Sequence, residues 1–121
     1  MFEHIQKIQG NVLAIKITGE ISEREHDQLD RLFQEAVAKW EAIRVFIVIS
    51  HYPSFNSAES LYEDLRMVKK HSGNIERLAV VGDQLWKRTW IGLFGLFSGI
   101  ETQYFEMEQI DAAYRWITQN E

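Results

Sequence analysis

The chain has 121 residues and a mass of 14.2 kDa, the size of one domain. Apolar residues make 45% and charged residues 26%, a globular balance that excludes disorder of the whole chain. The absence of cysteine excludes disulfides, thiolate metal sites and a cysteine nucleophile, and a net charge of −5 argues against nucleic acid as a partner.

Residues 2–8 read as a first short strand, and Gly10-Asn11 as the turn that follows, since both tolerate positive φ. Residues 12–18 (VLAIKIT) alternate, with Val12 and Ala14 on one face and Leu13, Ile15 and Ile17 on the other. The pair reads as an antiparallel hairpin at a sheet edge. Ser22 and Glu25 form a capping box that opens a helix. Leu29, Leu32, Phe33, Ala36, Val37 and Trp40 give that helix one apolar stripe. Residues 43–49 (IRVFIVI) suit a central parallel strand buried on both faces.

The segment 50–57 (SHYPSFNS) is irregular and holds the single proline, Pro53. Ser57 can cap a second helix with Ala58, Leu61, Tyr62, Leu65 and Val68 inward, ended by residues 72–74. Residues 75–81 form the next strand, Asp83 can cap a helix over 84–97, and residues 101–105 read as a last, edge-type strand. A final helix covers 108–119, with Ile110, Ala113, Tyr114 and Ile117 on its buried side. The order β-β-α-β-α-β-α-β-α predicts a mixed five-stranded sheet with four helices, its first strand antiparallel and the remainder parallel. The whole of 1–121 is one domain, without repeat or linker.

Charge is unevenly spread. Residues 66–88 carry six basic side chains (Arg66, Lys69, Lys70, Arg77, Lys87 and Arg88) against Glu76 and Asp83, a local +4 that leaves −9 for the rest. Two readings stand: a solvated helix end with its turn, or a patch facing anions. The first residues lack the basic and apolar regions of a signal peptide. The longest mostly apolar run, 90–97, has eight residues, against about twenty for a spanning helix. The expected location is the cytoplasm, with any membrane contact peripheral.

Two candidate sites emerge. Ser50, His51, Ser54 and Ser57 stand at the carboxyl end of a central strand, where open parallel sheets bind ligands. Ser57 would also lie at a helix N-terminus, which favours anions. The alternative is an ordinary turn with a capping serine. Ser50 and His51 are adjacent on a strand and point apart, so they form no catalytic dyad. The four histidines share no ligand spacing and the glycines form no phosphate loop, so no metal or cofactor is expected.

The second site is the helix over 84–97. Trp86, Trp90, Leu93, Phe94 and Phe97, with Leu85, Ile91 and Leu96, exceed what one buried face requires. Lys87 and Arg88 supply its few charges. The surplus reads as a helix wedged in the core, as a dimer interface, or as a surface that meets a membrane or closes an apolar cavity.

Residues 75–83 (IERLAVVGD) with Trp86 and Trp90, Lys70-His71 before them, Tyr104-Phe105, and Ala112, Ala113 and Trp116 together resemble the SpoIIAA-like family of the STAS fold. The resemblance covers essentially the whole chain and is most specific over 75–90. It implies a four- to five-stranded sheet with an antiparallel first strand, and kinship with CRAL-TRIO lipid-carrying domains. The sequence departs from STAS anti-anti-sigma factors in lacking their phosphorylatable Asp-Ser motif: the matching segment 49–57 holds serines but no Asp-Ser pair and no glycine.

The expected function is therefore non-enzymatic: binding of a small apolar or amphipathic, lipid-like ligand through Trp86, Lys87, Arg88, Trp90, Leu93, Phe94 and Phe97, with transient association to a membrane surface. The alternative is a regulatory interaction module acting as a homodimer.

Overall fold

The computed structural model describes residues 1–6, 10–19, 21–50, 66–82 and 99–119. Five strands, β1 (Phe2–Ile5), β2 (Val12–Thr18), β3 (Ile43–Ser50), β4 (Ile75–Gly82) and β5 (Glu101–Glu106), form one sheet in chain order. β1 runs antiparallel to β2, and β2 to β5 are parallel. The predicted mixed sheet with its antiparallel first strand is the one observed. Gly10 turns the hairpin with φ of +87°, a conformation that a Cβ would disfavour.

Helix α1 (Glu23–Trp40) opens with the predicted capping box: Glu25 N donates to Ser22 Oγ at 3.2 Å, and Ser22 N donates to Glu25 Oε1 at 3.2 Å. Its apolar stripe packs with Val68 of α2 (Arg66–Lys70) on one face of the sheet, against Leu13, Ile15, Val45, Ile47, Leu78 and Val80. Helix α3 (Ile110–Thr118), entered through a 3-10 turn at Met107–Gln109, lies on the other face. There Ala113 and Ile117 meet Ala14, Phe46, Val48, Ala79, Val81 and Phe105. β3 is buried on both sides, as its apolar run over residues 45–49 requires.

Three expectations need correction. Trp40, assigned to the inward stripe, is 44% exposed: α1 ends there, and Lys39 Nζ lies 5.4 Å from its ring centroid. Ile110 and Tyr114, assigned to the buried side of the last helix, are 37% and 46% exposed. The stripe that packs is Ala112, Ala113, Trp116 and Ile117, turned by one residue because Trp116 meets Phe105 and Arg77. The last helix also starts at Ile110 rather than at residue 108.

The third correction concerns Arg77, counted in the +4 stretch. It is 4% exposed and faces α3 rather than solvent. Its Nη1 donates to the Trp116 carbonyl at 3.0 Å and the Gln119 carbonyl at 3.2 Å, and its guanidinium lies 5.3 Å from the Trp116 ring. Its register partner on β3, Arg44, donates to the carbonyls of Ile117 at 3.0 Å and Gln119 at 2.6 Å. Two arginines thus satisfy the last carbonyls of α3, where the helix dipole is negative.

Candidate functional site: a charged cleft between two helices

Helix periodicity brings His26, Asp27 and Asp30 to one side of α1, and Arg66, Lys69 and Lys70 to one side of α2. These six line a cleft of about 460 Å³. Val68 is fully buried against the sheet and anchors α2 there.

Asp30 joins the two walls. Lys70 Nζ donates to Asp30 Oδ2 at 3.0 Å and to Oδ1 at 3.3 Å, and His71 Nε2 lies 3.1 Å from Oδ1. The His71 ring stacks on Phe33 with centroids 5.7 Å apart and planes 19° from parallel. That stacking places the imidazole between the core and the cleft. Burial alone would raise the Asp30 pKa. Hydrogen bonds from His71 and Lys70, and the charges of the same two side chains, outweigh burial and hold the carboxyl below its ordinary value. Asp30 is thus matched locally by Lys70 and His71, while Asp27 stands on the same side of α1 and the exposed Arg66 and Lys69 complete the α2 wall.

Of the residues singled out in the sequence, Ser50 ends β3 at the carboxyl edge of the sheet, half-buried, and its carbonyl accepts from Gly19 N at 3.3 Å. It does not line the cleft. His51, Ser54, Ser57, Trp86, Lys87, Arg88, Trp90, Leu93, Phe94 and Phe97 lie outside the described residues. Arg66, Lys69 and Lys70 of the basic stretch do come together. The sequence carries no direct marker of the acidic wall, since Asp27 and Asp30 fall outside the apolar stripe of α1, where charged residues ordinarily face solvent. The spacing of His26 and Asp30, one turn apart, was the only local signal, and it does not reveal a partner forty residues on. Among the described residues, no group of three or more acidic or histidine side chains could hold a metal ion.

A single mixed sheet of this order, clad by α1 and α2 on one face and α3 on the other, defines an α/β domain of the STAS type. The chain belongs to the SpoIIAA-like family, whose pattern matches residues 12–118. A solved structure agrees: an uncharacterized protein of the DUF3478 family with a SpoIIAA-like fold, from Shewanella loihica, superposes with a TM-score of 0.67. It is 22% identical, over 97% of this chain and 90% of that one, a likeness that carries the fold. No curated protein matches the chain. Among the described residues, no helix is long and apolar enough to cross a membrane.

Proposed function

We propose that this domain binds a small amphipathic ligand with an anionic head, without catalysing a reaction, and associates peripherally with membrane surfaces that present such heads. The observation that carries the reading is the α2 wall of the cleft, where Arg66 and Lys69 stand beside Lys70, which with His71 is already paired to Asp30, and face Asp27 as the other acid of the lining. From the sequence alone, the apolar part of the ligand is assigned to the tryptophan- and phenylalanine-rich segment 84–97, and its anionic groups also to Lys87 and Arg88, which lie outside the described residues. The kinship with CRAL-TRIO lipid-carrying domains that the family resemblance implies supports the same reading. No cofactor is required by it.

Flotation with vesicles of phosphatidylglycerol, beside vesicles of phosphatidylcholine, tests the proposal. The protein should float with the first and not the second, and Arg66→Glu/Lys69→Glu should abolish flotation. Native mass spectrometry of freshly purified protein should show a carried amphiphile. Equal behaviour with both vesicles, together with a bare protein mass, overturns the proposal.

A second reading, a regulatory module that works as a homodimer, is favoured by Ile110 and Tyr114. They stand one turn apart on the outer side of α3, both exposed. Light scattering on the wild type and on Tyr114→Asp separates the readings: a dimer that Asp dissolves supports this one.

A further inference from the structure

Among the described residues, no strand pairs with the outer edge of β1. Met1 and Thr18 exchange both backbone hydrogen bonds, at 2.9 and 2.7 Å, and the register then pairs Phe2 with Ile17 and His4 with Ile15. In an antiparallel ladder, hydrogen-bonded and non-bonded pairs alternate. Phe2 and His4 therefore direct their N–H and C=O groups away from β2, toward the open edge. The Phe2 N–H is closed off by Glu25 Oε2, at 2.8 Å. Among the described residues, nothing engages the outward N–H and C=O of His4.

Beside that edge, between β1 and α1, lie two cavities of about 340 and 330 Å³. His4, Leu32 and Glu35 line both. One continues toward Phe2 and Gln28, the other toward Ala36 and Trp40, so the two follow one another along the edge. Side chains on one face of a strand recur every second residue, at roughly 6.5–7 Å. A strand laid beside β1 would place two such side chains over successive cavities.

We propose that an extended segment of a partner protein adds to β1 as a sixth strand, pairing with the His4 backbone and setting apolar side chains at positions i and i+2 into these cavities. A second copy of this chain fits less well. Two-fold pairing would put His4 against His4, and Phe2, already packed on its own core, could fill neither cavity. The Glu25 seal on Phe2 fixes the register, because it leaves His4 as the donor a guest strand can meet.

The probe is the peptide acetyl-Lys-Thr-Val-Thr-Val-Thr-Lys-amide, titrated into the full chain labelled with 15N, beside the same peptide N-methylated at both valines, whose N–H groups face β1 when the peptide lies antiparallel with its valines over the cavities. The His4 amide, Leu32 and Trp40 should shift together, and hydrogen exchange at His4 should slow. His4→Pro removes the outward N–H without touching the ladder to β2, a change an edge strand tolerates. It and the N-methylated peptide should each weaken binding about tenfold or more, the loss of one to two backbone hydrogen bonds, whereas His4→Ala, which keeps the N–H although it trims a wall of both cavities, should bind more tightly than His4→Pro. Equal binding by the proline and alanine variants, shifts confined to other surfaces, or no binding overturns the proposal. So does a peptide-free dimer that His4→Pro dissolves, which would assign the edge to a second copy.

Discussion

The Tyr104 hydroxyl stands 2.8 Å from the point that a Cβ on Gly82 would occupy. Gly82 closes β4, and Tyr104, on β5, leans along it over the carboxyl edge of the sheet. The nearest ring carbons of Tyr104 lie 3.5 Å from the same point, an ordinary contact. The hydroxyl alone therefore demands glycine. Gly82→Ala should destabilise the fold by roughly 1–3 kcal/mol, the usual cost of overpacking. Tyr104→Phe should restore most of that loss in the double variant. Urea midpoints of the four proteins check the prediction, and a double variant as unstable as Gly82→Ala would refute it.

Glu25 holds three donors at once: Ser22 N, Ser22 Oγ and Phe2 N. Burial raises its pKa, but these hydrogen bonds and the Met1 ammonium, 3.6 Å away, outweigh it and leave the carboxyl below its ordinary value of 4.5. A depressed pKa in the folded state means stability that is present above the unfolded pKa and lost as pH falls through the folded one. Thermal melts of the wild type should thus fall below about pH 4.5 more steeply than those of Glu25→Gln. Parallel curves would show that Glu25 contributes nothing to acid sensitivity.

Much of this architecture was legible in the sequence, and for physical reasons. β3 is buried on both faces, and seven consecutive residues without a good turn former announce that. The Ser22–Glu25 box is a local signal for a local structure. The Arg44–Arg77 pair was not legible. Each reads as a lone charge in an apolar strand, and only parallel register together with the return of α3 across the sheet brings them to one helix end. The Asp30–His71 contact is hidden in the same way, since its members are forty-one positions apart. The outward turn of Tyr114 followed from the neighbouring demand of Trp116 for Phe105, which no periodicity within α3 encodes.

Glu41 joins α1 to β3 at φ +63° and ψ −51°, and Ala42 N donates to the Trp40 carbonyl across it at 2.7 Å. That is the strained, positive-φ form of the γ-turn. The turn is held from outside by Asn74 Nδ2 on the Glu41 carbonyl at 2.9 Å and Asn11 Nδ2 on the Ala42 carbonyl at 3.1 Å. Glycine removes the steric cost at this φ, against a smaller gain in unfolded-state entropy. Glu41→Gly should therefore stabilise the protein by about 0.5–1 kcal/mol. A lowered urea midpoint would mean the Glu41 side chain contributes more than its backbone costs.

The strongest single dependence should be on Arg77. Its side chain is 5% exposed, and its bonds to the Trp116 and Gln119 carbonyls replace the water those groups would otherwise need. Truncation leaves the carbonyls less well satisfied and removes the cation from the Trp116 ring. Arg44 shares the Gln119 carbonyl and also reaches Ile117, so it preserves part of the cap. Arg77→Ala should cost about 3 kcal/mol, and Arg44→Ala, whose side chain is 13% exposed, less. The loss should localise. Hydrogen exchange at residues 113–118 should speed up while β2 and β3 amides stay protected, because α3 covers its sheet face from one side only. Exchange that rises uniformly over all strands would instead make α3 an inseparable part of the folding unit.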